Sequence, residues 1–206
     1  MDLPDLETKI NRIPGYRERF KAVFGVDRIT ANEVVKAIAT FERTLLSGNS
    51  PYDKYQSGKL DALSNEARIG MNLFFDEKKT RCSKCHSGSN FMDNSYHNTG
   101  IGTDPGRSKV SRNGDDGGRF KAPTLRDVAK TGPYMHDGSV KTLEDVVEYY
   151  VKGVPQNQGQ SANGQVDESF MPLDLNDSEI KALITFLREG LASDPFPTCE
   201  PPELPQ

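Results

Sequence analysis

Two cysteines and a histidine carry the most specific chemistry in this sequence. Cys82-Ser83-Lys84-Cys85-His86 is the C-x-x-C-H arrangement through which c-type haem is attached. The spacing has a physical reason. Thiols three residues apart on a helical turn can both form thioethers to the two vinyl groups on one side of a porphyrin, and the adjacent imidazole then reaches the iron from one face as proximal ligand. A zinc site would need two more good ligands, and the remaining histidines and Cys199 offer no second C-x-x-C or H-x-x-x-H spacing. A thioredoxin-like pair would need a βαβ setting, and none is visible. The expectation is one covalent haem c, held by Cys82 and Cys85, with His86 on the iron.

The sixth iron ligand is open at this level. Met92, His97, Met135, His136, Tyr149, Tyr150 and Met171 are all of suitable type. Periodicity separates two of them. Tyr150 lies on an apolar stripe with Leu143 and Val147, whereas Tyr149 falls off it and is expected to face outward. Lone methionines such as Met171 and Met135 more commonly pack than ligate, and a buried tyrosine is ordinarily a core residue with a satisfied hydroxyl.

The elements that must position these residues read as helices. Thr30 to Glu33 forms a capping box ahead of a stripe of Val34, Ile38, Phe41 and Leu45. Pro14 suits the first turn of a short helix through Phe20 and Phe24. Ser64 caps a helix carrying Ile69, Met71, Leu73 and Phe74 toward the cysteines. Thr142 starts another, with Leu143, Val146, Val147, Tyr150 and Val151 on one face. Asn176 and Glu179 open the last, which carries Ile180, Leu183, Ile184, Leu187 and Leu191. No convincing run of period-two alternation occurs, so the fold class is all-α. Two irregular stretches remain. Residues 87–121, rich in Gly, Ser, Asn and Asp, exceed the ~12–15 residues of ordinary loops and are read as wrapping the cofactor. The Gln- and Asn-rich residues 153–169 are read as a surface insertion.

Composition sets the outer bounds. Lys and Arg total 26 against 30 Asp and Glu, a net charge of −4, which excludes a disordered acidic chain and argues against a basic nucleic-acid binder. No apolar run approaches the ~18 residues needed to span a bilayer. Hydrophobic residues make up only 34%, a thin core to which a porphyrin would add apolar surface. Met1-Asp2-Leu3-Pro4-Asp5 has neither a cationic start nor an apolar h-region, so no secretory signal is expected in this chain. Thiol-dependent haem attachment in bacteria occurs outside the cytoplasm, so a periplasmic mature protein is expected. Cys199 lies in a Pro-rich tail and is read as pairing between chains or as a bystander.

Several ordered motifs then converge. Arg81 to His86, Asn94-Ser95-Tyr96-His97-Asn98-Thr99-Gly100, Phe120-Lys121-Ala122-Pro123-Thr124-Leu125-Arg126 and Pro133-Tyr134-Met135-His136-Asp137-Gly138-Ser139 together resemble the C-terminal haem domain of bacterial dihaem cytochrome c peroxidases, closer to the MauG-like branch. Phe41-Glu42-Arg43-Thr44-Leu45 and the closing helix also fit, so the resemblance covers nearly the whole chain. It implies a class I cytochrome c-like haem domain at 61–192 with long loops around the haem, a helical lead-in at 1–60 and a Pro-rich tail at 193–206. In this family a Met, or in MauG a Tyr, ligates the haem from the helix after the H-D-G segment; that position is Tyr150, so iron would lie between His86 and Tyr150, with Met171 and Met135 as alternatives. The resemblance also implies a calcium ion on the backbone oxygens of Thr131 and Pro133, with a further ligand from an N-terminal domain.

The departures from the family pattern are a missing first haem domain, with its own C-x-x-C-H, and a missing Trp; the chain has none. The chain thus looks like a C-terminal fragment, a cleaved chain or a separately encoded half. Arg119, Lys121 and Arg126 could pair with haem propionates through charge-assisted bonds. The leading functional reading is an oxidoreductase module that relays electrons to a peroxide-reactive partner haem on an N-terminal domain or second subunit and draws them from a small redox protein. A stand-alone monohaem electron carrier is the alternative, and a haem-based ligand sensor with an open sixth position is a third.

Overall fold

The computed structural model describes residues 2–153, 160–161, 164–199 and 203–205. Helix α1 (Leu3–Asn11) begins where the Asp2 carboxylate accepts the Asp5 N–H at 2.9 Å. Pro14 opens α2 (Pro14–Phe24), and Gly25 at φ +69° turns the chain out of it in the left-handed conformation that glycine adopts without strain. Helix α3 (Ala31–Glu42) starts with Glu33 reaching back to accept the Thr30 N–H at 3.1 Å. Asn11 at the end of α1 holds the segment leading into α3 by accepting from the Ile29 N–H at 2.9 Å and donating to its carbonyl at 2.7 Å. Residues Met1–Leu46 with Pro197–Gln206 form one compact unit. The α3 stripe has the helical spacing read from the sequence, but most of it is open. Ile38 is 52% and Phe41 48% exposed, and only Val34 among the four residues of the stripe is half-buried.

The second unit spans Ser47–Phe196. It contains α4 (Pro51–Gln56), α5 (Asn65–Phe75), the single turn α6 (Cys82–Cys85), α7 (Ser108–Ser111), α8 (Leu143–Lys152) and α9 (Asp177–Thr185), the last continuing as a wider π turn over Phe186–Gly190. The caps at Ser64, Thr142 and Asn176 are where the sequence suggests them, accepting from the N–H groups of Ala67, Asp145 and Glu179 at 3.1 Å in each case. Strand content is slight. Strand β1 (Tyr96–His97) pairs antiparallel with β2 (Phe120–Lys121), setting His97 opposite Phe120, and β3 (Gln160–Ser161) pairs with β4 (Gly164–Gln165). Within the Gln/Asn-rich insertion, residues 154–159 and 162–163 lie outside the described residues.

The core of this unit joins α5, α8 and α9 through Phe74, Phe91, Leu143, Val147, Leu183, Phe186, Leu187 and Leu191. Helices α5 and α9 meet at backbone distance. A Cβ on Gly70 would stand 1.9 Å from the Ala182 carbonyl oxygen and 2.8 Å from Phe186 Cβ, so only hydrogen fits there. The rings of Phe74, Phe91 and Phe186 stack edge-on or tilted at 5.5–6.4 Å, with Tyr52 5.1 Å from Phe91. Phe91 comes from the segment just past the cysteine turn. The same cluster that holds the helices therefore anchors the site.

Candidate haem-attachment site

Helix α5 delivers the chain to the cysteines. The Asp76 carbonyl accepts from the Thr80 N–H at 2.9 Å and the Arg81 N–H at 3.2 Å, and the buried Thr80 hydroxyl turns back to the Leu73 carbonyl. Arg81 then takes φ +58°, a conformation that residues with a Cβ adopt when their surroundings impose it. The single turn α6 follows, and the His86 N–H donates to the Cys82 carbonyl at 3.0 Å. The spacing read from the sequence is thus one helical turn, carrying two free cysteines.

The His86 ring is fixed in orientation. Its Nδ1 lies 3.2 Å from the Phe91 carbonyl oxygen. A carbonyl only accepts, so a proton on Nδ1 satisfies this contact, the Pro123 carbonyl also acts on the ring, and Nε2 is the nitrogen that would be offered to a metal. Burial, the largest influence, pushes this imidazole below its ordinary pKa, toward the neutral form that ligation requires. Phe91 holds φ +51°, in a reversal closed by its N–H to the Gly88 carbonyl at 3.1 Å and by the Met92 N–H to Ser87 at 2.8 Å. That reversal is what turns the carbonyl back onto the ring.

Both thiols are protonated at neutral pH. Burial raises Cys82, and burial together with the Asp93 and Asp167 carboxylates pushes Cys85 up to about 11. Such thiols are poor metal ligands and poor redox partners, which agrees with a role in covalent attachment.

Tyr150 comes to this turn from α8. It is partly buried in the fold, yet protein crowds its phenol. That desolvation, together with the nearby Cys82 and Cys85, drives its pKa far above the usual tyrosine value. Phe170 packs on the ring at 4.8 Å. Tyr149 corrects the sequence expectation. It does not face outward: its hydroxyl donates to the Thr99 carbonyl at 2.8 Å and its ring sits 5.4 Å from Phe170. Period alone missed it because the irregular 87–121 stretch covers that side of α8.

The other sequence-derived residues are placed as follows. Met171 is 41% exposed, and Met135 occupies a left-handed turn at φ +65°. His97 has both ring nitrogens on carboxylates, and His136 is exposed and stacked on Phe120 at 3.7 Å. Arg126 is directed to Asp53, with two bonds of 2.8 Å, and to the Ser89 carbonyl at 2.7 Å. This pairing ties α4 to the segment after His86, and the guanidinium holds the Asp53 carboxyl down at about 2. Thr131 and Pro133 are exposed, and the Thr131 hydroxyl donates to the Val128 carbonyl at 3.0 Å. The sequence reading gave no role to Arg81, Asp93, Asp167 or Phe170. Arg81 and Asp93 stand near the motif in sequence and could have been flagged; Asp167 and Phe170 carry no local signal.

Whether these residues suit haem is tested by the groups left over. The Nε of Arg81 and the Nε of Arg119 are buried and have no hydrogen-bond partner. Orphaned buried donors are costly, and two guanidinium N–H groups in the unit that bears the attachment turn are what acidic propionates would satisfy. Two free thiols on one turn, an imidazole with Nε2 available and these two donors make a coherent set. The residues fit.

A turn of this kind in a helical frame defines a c-type cytochrome class of protein. The family follows from comparison: the model described as di-haem cytochrome c peroxidase matches residues 1–61 and 64–183, and the chain belongs to that family. It is 38% identical over 92% of its length to the methylamine utilization protein MauG of Methylophilus methylotrophus, covering 56% of that protein. It is 40% identical over 69% of its length to the cytochrome c551 peroxidase of Nitrosomonas europaea, covering 44% of it. Among solved structures, a MauG-like protein associated with microbial copper homeostasis superposes with TM-score 0.72 at 30% identity, across 93% of this chain and 62% of that one. The chain therefore spans about half the length of the curated relatives it matches.

Proposed function

We propose that this chain is a c-type haem redox module, the counterpart of the C-terminal, electron-relay half of a dihaem cytochrome c peroxidase or MauG-type enzyme, serving hydrogen peroxide-dependent chemistry. Residues 61–192 would form the class I cytochrome c-like haem domain, which lies inside the second compact unit. The observation that carries the reading is the convergence of Tyr150 and the Cys82–His86 turn: Phe170 packs on the Tyr150 ring at 4.8 Å and is tied back to Cys85 through Asp167, His97 and Asp93, while Nδ1 of His86 faces the Phe91 carbonyl. When bound, the haem iron supplies the one-electron chemistry.

The chain's own residues set the conditions for it. Cys82 and Cys85 would hold the porphyrin covalently. The Phe91 carbonyl orients His86 and raises its basicity as a ligand. Tyr150 is the residue that would supply the second axial ligand, an oxygen, to the iron, and the burial that raises its pKa as a free phenol would make loss of its proton favourable only beside a positive centre. Such an anionic ligand would lower the potential, which suits relay rather than peroxide cleavage in this half. Arg81 and Arg119 would engage the propionates. The peroxide-reactive haem would then belong to a partner domain or subunit, with a small redox protein as donor, in the periplasm. The Thr131 and Pro133 carbonyls would share a calcium ion completed by that partner.

The test is the oxidised absorption spectrum of the mature protein and of Tyr150→Phe. Loss of phenolate-to-iron charge-transfer absorption and appearance of a water-bound or open iron is expected. An unchanged spectrum would move the ligand to Met171 or Met135. Peroxide turnover should be absent in this chain alone and appear when the missing half is added.

A further inference from the structure

Cys85, Asp93 and His97 form the one group of metal-ligand side chains close enough, among the described residues, to share an ion. Under the function proposed above the Cys85 sulfur is a thioether, so the cluster's purpose lies in its other members. His97 stands between two carboxylates: Nε2 is 2.7 Å from Asp93 Oδ2, and Nδ1 is 2.8 Å from Asp167 Oδ2. All three side chains are three-quarters or more buried. Each ring nitrogen thus faces a carboxylate oxygen at hydrogen-bond distance, so the ring is held from both edges.

Each end of this triad leads to a different side of the haem-attachment site. On one side, the Asp93 N–H donates to the Cys85 carbonyl at 2.9 Å, one residue from His86. On the other, Asp167 accepts the Asn98 N–H at 3.2 Å, donates its own N–H to the Asn98 carbonyl at 3.0 Å, and its carbonyl accepts the Phe170 N–H at 2.9 Å. Phe170 is the ring packed on Tyr150 and Tyr149, and Tyr149 returns to Thr99, two residues past His97. The loop therefore closes on itself: Cys85, Asp93, His97, Asp167, Phe170, the tyrosine pair and Thr99.

We infer that His97 is a positioning residue which, through Asp93 and Asp167, fixes Tyr150 relative to the Cys82–His86 turn. The inference rests on Tyr150 being the second axial ligand. It gives the β1–β2 ladder a purpose that its two-residue length does not explain, since the ladder holds His97 against Phe120 and so keeps the ring between its carboxylates.

The experiment uses the mature haem protein and compares Tyr150→Phe, His97→Ala, Asp167→Ala and the His97→Ala/Asp167→Ala double variant. The readouts are the oxidised spectrum, the haem reduction potential and azide binding, which reports an open sixth position. Groups bonded directly to a metal ligand are worth about 10–100-fold in ligation, and His97 and Asp167 reach Tyr150 only through Phe170, so each single variant should raise the fraction of azide-accessible iron by a smaller factor, up to about 10-fold. Each should shift the potential toward that of Tyr150→Phe, and the double variant should add little to either single, because both cut one path. If His97→Ala or Asp167→Ala fails to fold, Phe170→Leu removes the last link without touching a charge and should give the same shift. Folded variants with wild-type spectrum and potential, beside a shifted Tyr150→Phe, would overturn the role of His97 alone. Additive effects in the double variant would overturn it as well. An unshifted Tyr150→Phe would bring down both the ligand assignment and this inference.

Discussion

The two compact units treat their backbone and their apolar residues differently. In the first, Gly25 is the one described residue with positive φ, and Ile29 is the one described hydrophobic residue that is fully buried. In the second, Asn49, Arg81, Phe91, Asn94, Arg112, Asp127 and Met135 all hold positive φ without being glycine, and the buried aromatic cluster lies there too. Three of those residues, Arg81, Phe91 and Asn94, surround the cysteine turn. A short amphipathic helix needs only caps and composition. A site that must aim two sulfurs and one nitrogen at a single group needs backbone in unfavourable conformations, and those persist only where a packed core over-determines them.

The sharpest way to break this comparison is chemical. Replacing both Cys82 and Cys85 by Ala should abolish covalent haem, read as loss of haem-dependent peroxidase staining after denaturing electrophoresis; retained stain would refute the attachment site. Next in size is the core. Phe186 is fully buried, and Phe186→Ala should cost about 3–5 kcal/mol in denaturant unfolding. Arg126→Met, which leaves Asp53 partly buried and unpaired, should cost about 3 kcal/mol. The same pair gives a pH signature. Because the Asp53 carboxyl is held at about 2 in the fold, its stabilisation, about 2 kcal/mol, is fully present above the ordinary carboxylate pKa of about 4 and is lost as pH falls toward 2. Asp53→Asn should flatten the stability profile across that window, and an unchanged acid limb would show that the pair contributes nothing. At the small end, Ile38→Ala on the open face of α3 should move stability by no more than about 0.5 kcal/mol. A loss as large as that of Phe186→Ala would mean that α3 is covered in solution.

What could be read in advance was what depends on neighbours in sequence. The Cys82–His86 spacing, the caps at Thr30, Ser64, Thr142 and Asn176, and the Leu143, Val147, Tyr150 stripe are all settled within one or two helical turns, and the fold reproduces them. Residues whose partners are remote were not legible. Periodicity sends Tyr149 outward because its acceptor, Thr99, is remote in sequence, and nothing near Arg126 in sequence points to its partner Asp53. Asp167 sits in a polar stretch indistinguishable by composition from a surface insertion. The exposure of the α3 stripe had no sequence signature either, since periodicity reports which residues share a face and not what covers it.

Gly70 gives the cysteine turn a lever far from any sulfur. Helices α5 and α9 touch there through bare backbone, and α5 ends only a few residues before Arg81. A methyl group at that crossing would wedge the two helices apart, and because the turn closed on Asp76 links the end of α5 to the attachment segment, the displacement would be passed on to the cysteines. An allele with Ala at this position would retain every cysteine, histidine and tyrosine and still present them askew, a lesion that no inspection of the motif itself could diagnose.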